Sequence, residues 1–149
     1  MTNKIKIYTE IDGELISNFT FDEFENKLGW VILHEKIPWA LEMTRAALNA
    51  MARPNIITIH VTNTTRTLSQ LEQMGASYGW VDEGGKVARN SYHLHHFGGI
   101  AVDFYARNKT LGVNVPPKSV ADVAGLYFDW VKAYDDGHVH GDFRSLVNR

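Results

Sequence analysis

Along residues 4–17, KIKIYTEIDGELIS, apolar and polar side chains alternate on both sides of Asp12-Gly13. A period of two interrupted by an Asp-Gly pair predicts a β-hairpin. Thr20-Phe21-Asp22-Glu23 then has the form of a capping box, with Thr20 as N-cap and Glu23 three positions on. It predicts a short helix over 21–27 that ends near Gly29. In 36–52, KIPWALEMTRAALNAMA, the residues Ile37, Leu41, Thr44 and Leu48 recur at helical spacing. Pro38 suits the first turn of that helix, and Pro54 lies just past its end.

NIITIHV at 55–61 is short and β-branched, as expected of a buried strand, and TNTTRTLSQ leaves it as a polar loop. Residues 75–92, rich in Gly, Ser and Asn, read as a further loop that borders a cleft. GIAVDFYA at 99–106 predicts a second central strand. There Ile100, Val102 and Phe104 face the core, so Asp103 projects from the opposite side. After a connection closed by Pro116-Pro117, Ser119 as N-cap and Asp122 as its box partner predict a helix over 119–134. Its buried stripe would hold Val120, Val123, Tyr127, Trp130 or Val131, and Tyr134. GHVHGDF at 137–143 reads as a last strand, with His138 and His140 on one face. No repeat or linker divides the chain. Residues 1–149 are therefore expected to form one α+β domain, a small, mainly antiparallel sheet with helices packed on one face.

Composition narrows the chemistry. The net charge is −2 with Lys and Arg scattered, which is not the footprint of a nucleic-acid binder. No apolar run reaches the ~18 residues of a membrane span. The absence of cysteine excludes disulfides and thiolate metal ligands. Any metal would therefore be held by histidines and carboxylates. Five of the seven histidines fall in two groups, 93, 95 and 96 before the second central strand, and 138 and 140 on the last. A carboxylate such as Asp103 in so apolar a strand needs a hydrogen-bonding partner or a cation. If the last strand pairs beside it, imidazoles approach that carboxylate, and Gly98-Gly99 lets His96 turn back to the same point. Two neutral imidazoles and a carboxylate form the usual ligand set of a catalytic zinc site.

HFGGIAVD, from His96 to Asp103, fits the pattern His-x-x-Gly-x-Ala-x-Asp, and HVHGD from His138 to Asp142 resembles a His-x-His ending. Counting from His93 or His95 instead lands on Ile100 or Val102. Together these motifs resemble the zinc D-Ala-D-Ala carboxypeptidases. They also resemble the related L-alanyl-D-glutamate endolysins of phages, the murein endopeptidases and the zinc domain of hedgehog proteins. NFTFDEF and ITIHVTNTTRT extend the resemblance over roughly 16–143. The resemblance implies a zinc site made of His96, Asp103 and His140, on the sheet face away from the helices. It implies that Arg66 holds a substrate carbonyl or carboxylate, and that His138 acts beside the metal.

Two positions depart from the family pattern. Relatives place a serine two residues before the first ligand, where this chain has Leu94. Several place a Glu or Asp three residues before the last ligand, where this chain has Gly137. The neighbouring Asp135 and Asp136 are the substitutes for that general base. The expected function is a Zn2+-dependent peptidase that hydrolyses peptidoglycan stem peptides, of D-Ala-D-Ala carboxypeptidase or L-Ala-D-Glu endopeptidase type. The alternative is a non-catalytic, zinc-stabilised binding or virion domain. MTNKIKIYTEIDGE lacks the apolar core of a signal peptide. The expectation is synthesis in the cytoplasm and access to the cell wall by phage-mediated release or within a virion.

Overall fold

The computed structural model describes residues 4–66, 91–93 and 97–147. The hairpin forms as its alternation predicts, from β1 (Lys6–Ile11) and β2 (Glu14–Thr20). Its turn has Asp12 at φ 51° and Gly13 at φ 81°, two left-handed residues, as a two-residue hairpin loop that matches strand twist requires. The two strands form a sheet of their own. The Thr20 backbone N–H donates to the Glu23 carboxylate at 2.7 Å, so the capping box is present. The box opens only a 3-10 turn, Phe21–Phe24, and not a helix to residue 27. The Asn26 side chain explains the early stop. Its Oδ1 accepts the N–H groups of Leu28 and Trp30 at 2.9 and 3.0 Å and folds the chain into a tight turn.

The long helix α1 (Lys36–Ala52) has the limits expected of it. Ile37, Leu41, Thr44 and Leu48 are all buried along its inner face. It leads to β3 (Ile57–Asn63), which starts and ends two residues later than its apolar pattern suggests. Then come β4 (Ala101–Asn108), the two-residue β5 (Val113–Asn114) and the helix α2 (Pro117–Ala124). The chain ends its regular structure with β6 (Trp130–Ala133) and β7 (Val139–Asp142). The five-stranded sheet runs β3-β4-β7-β6, with β5 on the end of β4, and every pairing is antiparallel. Helix α1 contacts β3 and α2, and α2 contacts β4, β6 and β7.

The helix expected over 119–134 is corrected on two counts. Its N-cap is Pro116 rather than Ser119, and Asp122 faces Lys118 at 3.5 Å instead of closing a box. It also stops at Ala124, and residues 130–133 are a strand. Trp130, Val131, Lys132 and Ala133 pair with Asp142, Gly141, His140 and Val139. The free edge of β7 needs a ladder partner, and that demand outweighs the helical stripe; in β6 Val131 and Ala133 are half-buried in alternation with exposed Trp130 and Lys132.

The core explains the placement of β4. Val102, Phe104 and Ala106 are fully buried together with Phe24, Ile37, Leu41, Val120 and Val139. Burial of each larger side chain contributes about 1.5–3 kcal/mol. With those residues turned inward, Asp103 must project from the other side of the strand, as expected. The entry to β4 is equally constrained. Gly99 sits at φ 73°, and a Cβ there would lie 2.2 Å from the carbonyl oxygen of Ile32. The same segment is tied down by His34 N–H donating to the Gly99 carbonyl at 3.0 Å.

Candidate metal centre

Strand pairing brings the first two groups together. Asp103 on β4 and His140 on β7 are direct cross-strand partners. Such a pair shares a face with Cβ atoms about 4.5–5.5 Å apart. His140 Nδ1 lies 3.0 Å from Asp103 Oδ1. His93 completes the group from the segment before β4. Its Nε2 is 3.2 Å from Asp103 Oδ1 and 3.1 Å from His140 Nδ1. All three residues are buried, and their ligand atoms lie within 4.8 Å of one another. Among the described residues this is the group able to hold a metal ion.

The outer nitrogens determine what the inner ones offer. His93 Nδ1 lies 2.6 Å from the Thr64 carbonyl oxygen, which only accepts, so Nδ1 carries the proton. His140 Nε2 lies 2.7 Å from Asp142 Oδ2, closer than Nδ1 lies to Asp103 Oδ1, so the shorter contact favours the outer nitrogen as the donor. In the neutral rings, His93 Nε2 and His140 Nδ1 are therefore bare lone pairs aimed at a carboxylate oxygen. Three acceptors converging within about 3 Å require a proton or a cation between them. The donor chemistry fits a metal ion, and the outer hydrogen bonds fix the rings as metal-ligating histidines are usually fixed.

Electrostatics point the same way. Burial raises the Asp103 carboxyl pKa, but hydrogen bonds and charge from His140 and His93 outweigh it and hold it well below the usual carboxylate range. Burial lowers the His140 pKa, yet Asp103 and Asp142 together leave it raised. Burial also raises Asp142, but hydrogen bonds from His140 and Arg144 bring it down to about 2. The Asp103 and His140 shifts share a cause: the Asp103 carboxylate faces two imidazole nitrogens and draws positive charge, a proton or a cation, to the point between them.

His138 precedes β7, and its Nε2 faces the centre, 3.9 Å from Asp103 Oδ2. It is not one of the three clustered groups. Its Nδ1 is hydrogen-bonded to Asp136 Oδ1, the same oxygen that accepts the His138 backbone N–H at 3.1 Å. Those two bonds, backbone first, lower the Asp136 pKa. The His138 ring stacks on Tyr134 with centroids 4.3 Å apart and planes within 9°. Asp135 is exposed and outside the cleft lining, so of the two carboxylates beside Gly137 only Asp136 reaches the site.

Arg66 comes after β3, with its N–H donating to the His93 carbonyl at 2.7 Å. Its guanidinium is half-buried in the same cleft and makes no hydrogen bond or ion pair with the described residues. Burial lowers its pKa, and the Asp103 charge offsets this only in part. The cleft has a volume of about 1620 Å³ and is also lined by Tyr92, Tyr105, Trp130 and Tyr134. Comparison of the chain with protein-family models, curated proteins and solved structures finds no match.

Of the expected ligands, Asp103 and His140 meet as anticipated, while His96 lies outside the described residues, as do Leu94, His95 and residues 75–90 of the expected loop. His93, which has the wrong spacing for the motif, is the histidine that joins Asp103 and His140 in the clustered group among the described residues. It stands six residues before Gly99, where the family pattern has three. One signal for it was present. The resemblance carries a serine two residues before the first ligand, and with His93 in that role the place falls on Ser91. Ser91 lines the cleft, and its Oγ accepts the His93 N–H at 3.3 Å.

Proposed function

We propose that the protein is a zinc-dependent peptidase acting on peptidoglycan stem peptides, with the metal held by His93, Asp103 and His140. In this reading the helices back one face of the larger sheet and the metal lies on the other. The observation that carries the reading is the convergence of three ligand atoms, two of them on imidazoles oriented from behind, in the lining of a cleft of about 1620 Å³. Two imidazoles and one carboxylate favour zinc over the oxygen-seeking Mg2+ and Ca2+. Bound there, zinc would lower the pKa of a coordinated water to about 7 and polarise the scissile carbonyl.

The remaining steps belong to side chains of this chain. His138 Nε2, facing the centre, accepts the proton of the attacking water and returns it to the leaving amine. As the C–O bond forms and the amide C–N bond breaks, the proton thus moves from oxygen to nitrogen. Asp136 holds His138 Nδ1–H, and Tyr134 fixes the plane of the ring. This histidine–aspartate pair takes the place of the carboxylate that Gly137 cannot supply. The Arg66 guanidinium, unpartnered among the described residues, binds the substrate carbonyl or a terminal carboxylate, for which its fork is suited.

The test is digestion of purified peptidoglycan and of synthetic stem pentapeptide by the zinc-loaded protein, read by mass spectrometry. New products from wild type but not from an Asp103→Ala variant are expected. Unchanged substrates in both, with zinc shown to be bound, would refute catalysis, and unfolding on chelation would then favour a structural metal.

A further inference from the structure

Behind His140 lies a second layer of side chains, led by Asp142 at the end of the HVHGD motif. Asp142 is completely buried, and both of its oxygens are occupied. Oδ2 accepts His140 Nε2–H at 2.7 Å and Arg144 Nη2–H at 2.8 Å. Oδ1 accepts Arg144 Nε–H at 2.9 Å and the Arg144 backbone N–H at 3.0 Å. The guanidinium is in turn held between two rings, 4.3 Å from the centroid of Tyr92 and 4.0 Å from that of Trp130. Tyr92 immediately precedes His93. Trp130 pairs with Asp142 across β6 and β7, and its ring meets the His140 ring edge-on at 5.6 Å. One side chain therefore joins the segments that carry both histidine ligands.

We propose that Arg144 is a positioning residue of the metal centre: clamped between Tyr92 and Trp130, it holds Asp142 on His140 Nε2–H and so commits His140 Nδ1 to the metal. The inference rests on the metal-centre reading. Its physical basis is a competition within His140. The ring can place its proton on Nε2, facing Asp142, or on Nδ1, facing Asp103 Oδ1 at 3.0 Å. Only the first arrangement leaves the metal-facing nitrogen bare. A carboxylate gripped at two points by a planar fork cannot rotate away from the imidazole. The aromatic sandwich prevents the fork from turning with it. Without the Arg144 side chain the buried carboxylate loses both side-chain donors of the fork and its countercharge, and its hold on Nε2–H weakens with them.

The experiment compares wild type, Arg144→Met and Arg144→Lys as full chains. Zn2+ affinity is measured by competition with a chromophoric chelator. The His140 tautomer is read in the metal-free protein by 15N NMR of the imidazole, and the thermal midpoint is recorded in parallel. The expected result is a loss of about 10–100-fold in Zn2+ affinity for Arg144→Met, with His140 no longer predominantly Nε2–H. Arg144→Lys, which restores the charge without the fork, should recover part of the affinity. A lowered thermal midpoint with wild-type affinity and tautomer would assign Arg144 a merely structural role and overturn the proposal. If Arg144→Met does not fold, Trp130→Leu loosens the same clamp and should shift affinity and tautomer in the same direction; wild-type values there would also overturn it. If wild type itself takes up no Zn2+, the metal-centre reading fails, while the tautomer comparison still decides whether Arg144 positions His140.

Discussion

His93 Nε2 and His140 Nδ1 face each other across 3.1 Å, and each ring has its other nitrogen held by an acceptor. The arrangement predicts one tightly bound divalent metal per chain. His93→Ala, Asp103→Ala and His140→Ala should each reduce Zn2+ affinity by more than the about 10–100-fold typical of losing an outer hydrogen bond to a ligand. His96→Ala should retain the metal. Elemental analysis and chelator competition check both statements, and metal loss in the His96 variant with retention in the His93 variant would reverse the ligand assignment.

The pair formed by His138 and Asp136 predicts a separation of binding from turnover. Neither is in the clustered group, so His138→Ala and Asp136→Asn should keep the metal. Loss of the proton carrier should lower kcat about 10²–10⁴-fold for His138→Ala, and less for Asp136→Asn, which removes only the support of the ring. KM should change little. Steady-state kinetics on a stem peptide check this, and an unaltered kcat in His138→Ala would remove it from the mechanism.

Arg66 predicts opposite signs for activity and stability. A half-buried guanidinium with no partner among the described residues pays desolvation in the free protein. Arg66→Met should therefore leave folding stability unchanged or slightly raised. Hydrogen bonds to charged groups contribute about 1.5–3 kcal/mol, so kcat/KM should fall about 10–100-fold. Urea unfolding and kinetics on the same preparation decide whether both signs hold.

The shifted groups predict how pH acts on the metal-free protein. Asp103 and Asp142 are lowered on folding, so their stabilisation is complete above the unfolded carboxylate pKa of about 3.9. It is lost as pH falls through the folded values, that of Asp142 being about 2. His140 is raised, so its contribution is complete below about 6.5 and is lost as pH rises through its folded value. Metal and proton compete for His140, so Zn2+ affinity should fall as pH drops below that raised value. Denaturant titrations with and without Zn2+ across pH 3–9 check the signs; the alkaline loss should vanish in the zinc-loaded form.

The parts legible in the sequence are those governed by neighbours along the chain. Period-two alternation around Asp12-Gly13 specified the first hairpin. The 3.6-residue recurrence of Ile37, Leu41, Thr44 and Leu48 specified the limits of α1. Alternation in β4 also put Asp103 opposite the core, because Val102 and Phe104 leave it no other side. The site was half legible for the same reason. Asp103 and His140 sit on regular strands, whereas His93, the third member of the cluster, lies on an irregular segment where spacing is a weak guide.

Tertiary structure decided the rest. Residues 130–133 are a strand because β7 needs an edge partner, something no local pattern records. His93 joins Asp103 and His140 because the Thr64 carbonyl, 29 positions away, orients its ring toward His140, 47 positions away. Asp136 rather than Asp135 supports His138 because the turn before β7 faces one carboxylate to the ring and the other to solvent. Arg144 enters the site through Tyr92 and Trp130, which lie on two separate segments. The single sequence encodes the periodicities that build strands and helices; the meeting of distant side chains depends on sheet register and loop path, which are properties of the whole chain.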